Sequence, residues 1–258
     1  MPDAKHAIKA VSQFFGYQIR KCPRASSVEA SFLHIDPFFD EQFILKDLPV
    51  NIIFDIGAHV GQTAKHYRQL FKTAKIFSFE PSPESYSQLI ETSRSLSPME
   101  TYNLAVAETS EEQTFYLTSS SPQSSLLKLT DSSVKYYDEA MPTAFDSISV
   151  KATSLDEFCK SKNIDKIQIC KMDIQGAELL ALKGATELLG NKAVDLFHLE
   201  VCFNGYYQHQ ALFYQICDFL ARYDYRLFGL YNLYHGKNNL ALVEGDAVFI
   251  SPSLADNL

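Results

Sequence analysis

The sequence predicts a doubly wound α/β fold with a mostly parallel sheet, and three observations carry that prediction. From Val50 onward, apolar runs of strand length alternate with segments of helical periodicity. The first run, VNIIFDIG, is almost continuously apolar, as suits a parallel strand covered on both faces. It ends in an Asp-x-Gly turn that opens a helix, and open parallel sheets hold their ligands beyond such strand ends. The 258 residues suffice for one such domain with a complete core.

Residues 1–48 read as an N-terminal helical and covering segment. Within it, HAIKAVSQFFGYQIRKC sets Ile8, Val11 and Phe15 on one side of a short amphipathic helix, which Gly16 breaks. Ser31 to Leu48 then continues the cover. Residues 49–258 hold the α/β domain. VNIIFDIG is its first strand, Gly61 to Lys72 its first helix and AKIFSFE its second strand. Ser82 opens the next helix, with Pro83 in the first turn and Glu84 near the positive end of the helix dipole. METYNLAV reads as a third strand and TFYLT as a return strand. Ser119 to Ser147 is the longest polar connection, of the kind that forms lids and binding loops. SISVKATSLDEF joins a strand to a Ser-capped helix. KIQICKMDI, AELLALKGATELLG, VDLFHLEV and HQALFYQICDFLARY follow as strand, helix, strand and helix. The last segment, YRLFGLYNLYHGKNNLALVEGDAVFIS, reads as a terminal antiparallel hairpin.

Composition narrows the partners. Acids outnumber Lys and Arg by 31 to 23, a net charge of −8, which argues against a surface for nucleic acid. Lys5, Lys9, Arg20, Lys21 and Arg24 form a local basic cluster. It would support a weak membrane-surface contact, although packing over the domain with solvated charges is the plainer reading. No run approaches a membrane span and no signal-peptide pattern opens the chain, so a cytoplasmic protein is expected. The cysteines, Cys22, Cys159, Cys170, Cys202 and Cys217, form no C-x-x-C pair and read as reduced thiols.

The chemistry concentrates at three strand ends. The first reads Asp55-Ile56-Gly57-Ala58-His59-Val60-Gly61-Gln62-Thr63. Its glycines permit a tight turn and close helix approach, but the spacing G-x-x-x-G lacks the second glycine that admits a pyrophosphate. A cofactor without phosphate fits better, and Asp55 would meet its ammonium end. The second strand ends at Glu80, where a carboxylate can accept both ribose hydroxyls, and Pro81 stops the strand. The third end is KMDIQGAE, where Asp173 should neighbour the first loop and Glu178 reads as a helix-dipole acid.

DIGAHVGQT, FEPSP, NLAVAE, VKATSLDEF, KMDIQGAELLALKGA and LFHLEV together resemble successive motifs of the FkbM family of methyltransferases, over roughly Val50 to Ser251. The resemblance implies a class I methyltransferase (Rossmann-like) fold, with a seven-stranded, mostly parallel sheet and a terminal antiparallel hairpin. It also implies bound S-adenosylmethionine and methylation of a hydroxyl on a sugar, glycan or polyketide-type metabolite. Carried over by motif, Asp55, Ile56, Gly57, Ala58, His59, Gly61, Gln62 and Thr63 would surround the methionine part. Glu80 and Pro81 would border the ribose; Asn103, Ala105 and Val106 would lie near the adenine; and Asp173 would face the reacting end. His59 stands where the family often has Asn, and Gln175 where Glu is usual.

For the proton that a hydroxyl acceptor must lose, the candidates are Asp173, Glu200 and His198, with His209 further away in sequence. His198 and Glu200 share one face of their strand, though a mid-strand histidine more commonly belongs to the core. Asp173 and Glu200 could hold a divalent cation, but two carboxylates fall short of a cage and no metal ligand is assigned. The Ser119 to Ser125 loop and Tyr206-Tyr207 are expected to shape the acceptor pocket. Two other readings stay open on the residues alone. One is an NAD-dependent oxidoreductase; the other is a non-catalytic binding protein on a degenerate methyltransferase fold.

Overall fold

The computed structural model describes residues 34–119, 121–130, 144–236 and 241–256. Helix α1 (Pro37–Ile44) precedes β1 (Ile52–Ile56), α2 (Gln62–Leu70), β2 (Lys75–Phe79), α3 (Pro83–Ser93) and β3 (Met99–Tyr102). Strands β4 (Ala105–Val106) and β5 (Glu112–Thr118) follow, then a 3-10 turn at Ser121–Gln123 and β6 (Ala144–Thr153). The rest is α4 (Leu155–Lys162), β7 (Ile167–Met172), α5 (Glu178–Lys183), α6 (Thr186–Gly190), β8 (Val194–Cys202), α7 (Phe213–Ala221), β9 (Arg226–His235), β10 (Leu242–Ile250) and α8 (Pro252–Ala255).

The main sheet has seven strands in the order β3-β2-β1-β7-β8-β10-β9. The pairs from β3 to β8 are parallel, and β10 runs antiparallel to both β8 and β9. This is the doubly wound sheet with a terminal hairpin that the sequence predicts, and its winding reverses between β1 and β7. Alternation along the strands divides the core. Ile53, Ile76, Ile169, Leu196 and Val248 pack with Ile44, Tyr67 and Leu254 of α1, α2 and α8. Phe54, Phe77, Phe79, Cys170 and Phe197 pack with Leu155, Phe158, Leu182 and Leu220 of α4, α5 and α7. Each such large side chain, fully buried, contributes about 1.5–3 kcal/mol of transfer free energy.

Local chemistry sets the helix starts. The Ser82 hydroxyl accepts from Ser85 N at 3.5 Å to open α3, and Ser154 accepts from Glu157 N at 3.2 Å to open α4. Two expected elements are divided. METYNLAV yields β3 and then β4, which leaves the main sheet and pairs with β6 in a second, three-stranded sheet ordered β4-β6-β5. AELLALKGATELLG yields α5 and α6 on either side of Gly184, where a Cβ would stand 2.2 Å from the Ala107 carbonyl oxygen. Close packing against the β4 exit, rather than periodicity, decides that break.

The expected N-terminal amphipathic helix, the basic cluster, Cys22 and residues 131–143 of the polar connection lie outside the described residues. Cys159, Cys170, Cys202 and Cys217 are free thiols. Among the described residues no helix is long and apolar enough to cross a membrane.

Candidate functional site

Beyond the carboxyl ends of β1, β2 and β7, at the point where the winding reverses, lies a cavity of about 320 Å³. The turn after β1 supplies Ile56, Gly57, Ala58, His59, Gln62 and Thr63, and the end of β2 supplies Phe79, Glu80 and Pro81. Leu104, Ala105 and Val106 form one wall. Asp173, Ile174 and Gln175 close the end beyond β7, and Phe115, Pro122, Ser124 and Leu126 reach in from the smaller sheet and the segment after it.

The β1 turn is tight because Gly57 takes φ +81°, and a Cβ there would lie 1.9 Å from the Asp173 carbonyl oxygen. Gly57 N and Ala58 N both donate to the Phe79 carbonyl at 3.0 Å, and Asp173 N donates to that of Ile56 at 3.0 Å. These bonds draw the three strand ends together. Glu80 is clamped in the same way: its Oε2 accepts from His59 N and its Oε1 from Ser82 N, each at 2.8 Å. Burial pushes the Glu80 carboxyl up to about 7, against the pull of those two N–H groups. Asn103 Nδ2 donates to the carbonyls of Glu80 and Pro81, each at 2.9 Å, and so shapes the loop that carries the carboxylate.

At the other end, Lys171 Nζ lies 3.1 Å from Asp173 Oδ2, and Gln175 Nε2 donates to Asp173 Oδ1 at 3.1 Å and to Glu200 Oε2 at 2.9 Å. The Asp173 side chain keeps 41% of its surface exposed, so a second molecule can reach it. Glu178 Oε1 accepts from Ile174 N at 3.0 Å and Gly176 N at 3.3 Å, stitching the loop to the start of α5. Its carboxyl, pushed up to about 7 by burial, does more here than complement a helix dipole.

One cavity thus gathers Ile56, Gly57, Ala58, His59, Gln62, Thr63, Glu80, Pro81, Ala105, Val106 and Asp173 from the residues selected in the sequence. Three other residues selected for the cofactor lie off its wall. Asp55 is fully buried on the α2 face of β1, with Ser78 Oγ 3.4 Å from its Oδ2, because strand alternation turns it away from the turn it precedes. Gly61 acts from behind as the left-handed cap of α2 at φ +90°, and Asn103 holds backbone. His198 lies mid-strand, 1% exposed, with Nδ1 2.6 Å from Glu41 Oε1, and does not line the cavity. Glu200 adjoins the cavity through Gln175 without lining it. Tyr206 and Tyr207 are buried beside Cys202 and Val243, and neither lines the cavity. His209 does not line it either.

Sequence reasoning missed Phe115 and Leu126 as wall residues, since they arrive from the second sheet and the segment behind it. Gln175 carried a legible signal, a polar residue between Asp173 and a glycine. For a cation, Gln175 Nε2 already occupies the place between Asp173 and Glu200, and the Lys171 ammonium takes the remaining Asp173 oxygen. Among the described residues no group of three or more His, Cys, Asp or Glu side chains is arranged to hold a metal ion.

The family model for the methyltransferase FkbM domain matches residues 55–227. The 2-O-methyltransferase NoeI of Sinorhizobium fredii is 28% identical over 149 residues, covering 56% of this chain and 61% of that protein. The hexuronic acid methyltransferase AglP of Haloferax volcanii is 27% identical over 139 residues, covering 54% of this chain and 52% of that protein. The matches therefore span between half and two thirds of these relatives' length. Among solved structures, Aeropyrum pernix fibrillarin in complex with S-adenosyl-L-methionine aligns with a TM-score of 0.45 at 10% identity, over 79% of this chain and 69% of that one. The family match and the sheet order β3-β2-β1-β7-β8-β10-β9 together give the fold of the class I methyltransferases.

Proposed function

Because this chain belongs to the FkbM methyltransferase family, we propose that it is an S-adenosylmethionine-dependent O-methyltransferase acting on a hydroxyl of a sugar or glycan-type acceptor. The observation that carries the reading is the single cavity that joins a buried, doubly anchored Glu80 to a solvent-reachable Asp173. The cavity fits the cofactor's chemistry. Each Glu80 oxygen takes one backbone N–H and retains a lone pair for a ribose hydroxyl. Leu104, Ala105, Val106, Phe115 and Leu126 offer an apolar slot for a purine. The turn holds Gly57 against Asp173 with no room for a side chain.

When bound, the cofactor supplies a methyl group already activated on a sulfonium. The protein's own work is alignment and proton removal. Asp173 is the group we assign to accept the acceptor's proton, oriented by Lys171 and Gln175. The assignment of a sugar-type acceptor draws on the names of NoeI and AglP, and the acidic net charge favours a small acceptor over nucleic acid. In the same reading residues 49–258 form the methyltransferase domain and residues 1–48 its cover. Free thiols on the four described cysteines suit a reducing, cytoplasmic setting.

The test is calorimetric titration with S-adenosylhomocysteine, followed by mass spectrometry of glycan and glycoside mixtures incubated with methyl-labelled cofactor. Binding and a labelled O-methyl product are expected. A protein that binds neither S-adenosylhomocysteine nor S-adenosylmethionine would end the reading.

A further inference from the structure

Gln175 joins the two carboxylates at the β7 end of the cavity, giving one amide proton to Asp173 Oδ1 and the other to Glu200 Oε2. Its pose is over-determined. The backbone takes φ +57° beside Gly176 at φ +89°, and its carbonyl accepts from Ser125 Oγ at 2.8 Å. The Tyr207 hydroxyl lies 3.0 Å from Gln175 Oε1 and 2.9 Å from the Gln123 carbonyl, and its one proton serves either at a time. An ionised carboxylate fixes which way the amide faces, since an amide oxygen turned toward it would be repelled.

We infer that Gln175 is a positioning residue whose neutral amide, donating to both carboxylates, lets Asp173 and Glu200 stand side by side with a single proton held by the pair. This rests on the assignment of Asp173 as base in the preceding reading. The neighbouring charges agree. Lys171 on β7 faces Asp173, with Asp55 on β1 and Asp246 on β10 around it; Glu178 on α5 and Glu244 on β10 face Glu200. Burial, then Asp173, Glu178 and Glu244, hold the Glu200 carboxyl well above the usual range, with Lys171 pulling the other way. A glutamate at position 175 would fit the same space and add a third negative charge. A methionine would fit it and donate nothing.

The test is a carboxyl-carbon NMR titration of the full chain without ligand, in the wild type, Gln175→Glu and Gln175→Met. The steps belonging to the pair are identified by their loss in Asp173→Asn and Glu200→Gln. The upper step should rise by about one pH unit or more in Gln175→Glu and by less in Gln175→Met. A Gln175→Glu chain that fails to fold leaves Gln175→Met to give the same direction of shift. Curves that superimpose on the wild type in the folded variants would overturn the inference, because a loop role alone leaves the titration in place. Wild-type protein that binds no S-adenosylhomocysteine would instead overturn the reading beneath it, and the base would then have no reaction to serve.

Discussion

Nδ1 of His198 lies 2.6 Å from Oε1 of Glu41, an ion pair that fastens helix α1 to the middle of β8 across 157 residues of sequence. Both side chains are buried, and the Tyr67 hydroxyl donates to the same Glu41 oxygen at 3.3 Å. Asp246 Oδ1 stands 3.7 Å from the other ring nitrogen. Burial alone would lower the imidazole pKa; Glu41 and Asp246 outweigh it and lift it to about 9. Helix α1 is therefore fastened to β8 through a histidine whose basicity its acidic neighbours raise.

That pair makes stability pH-dependent in a definite direction. A histidine raised above its unfolded value of 6.5 contributes fully below that pH and loses its contribution as pH rises through 9. The shift corresponds to roughly 3 kcal/mol. Urea unfolding should show the wild type losing stability between pH 6.5 and 9, while His198→Gln starts about 3 kcal/mol lower at pH 6 and shows a flatter profile. Parallel profiles for the two proteins would mean that the imidazole is neutral.

Asp55 carries the opposite sign. Burial, only partly offset by Lys171, pushes its carboxyl from 3.8 up to about 6. The folded protein then holds a proton through that window that the unfolded chain has lost, so stability falls as pH rises from 3.8 to 6. Above pH 6 an ionised Asp55 costs up to about 3 kcal/mol. Asp55→Asn should raise the melting temperature at pH 7.5 and leave it near the wild-type value at pH 4. Because Asp55 does not line the cavity, S-adenosylhomocysteine affinity should change by no more than a few fold. A large loss on calorimetry would return Asp55 to the binding site.

Glu80 links cofactor affinity to pH. Ribose hydroxyls donate to the ionised carboxylate, whose free-protein pKa is about 7. Binding should therefore release a proton below pH 7, with affinity weakening on acidification by up to about tenfold per pH unit. Glu80→Ala should lose roughly 10–100-fold in affinity, the worth of hydrogen bonds to a charged group. Calorimetry at pH 6 and 8, in buffers of different ionisation enthalpy, reads both effects. Affinity unchanged by pH and by the substitution would place the ribose elsewhere.

What the chain revealed in advance follows from range. The Asp-x-Gly turn, the acid ending β2 and Asp173 were legible because strand ends and glycine turns are local features, and the sheet order makes them neighbours. The orientation of Asp55 was legible in principle, since period-two alternation sets it opposite Ile56, which lines the cavity. The partner of His198 was not, because nothing near β8 announces Glu41. Nor was the departure of β4, which depends on Asn103 binding the carbonyls of Glu80 and Pro81 and on Ala107 N meeting the Thr153 carbonyl at 3.0 Å.

Asp173→Asn separates chemistry from binding. Its side chain reaches solvent, its Oδ2 holds Lys171, and its backbone rather than its carboxylate anchors the Gly57 turn. The amide keeps the shape and the turn but gives up basicity, so cofactor affinity should stay within several fold while single-turnover methyl transfer falls by about 10²–10⁴-fold, the usual contribution of a general base. Lys171 retains Asp55 and Asp246 nearby, which limits the disturbance to the core. Rapid-quench measurement with labelled cofactor and the acceptor identified by mass spectrometry gives the rate. A rate equal to the wild type would move the base to Glu200, which Gln175 holds within reach of the same end of the cavity, and Glu200→Gln would then carry the loss.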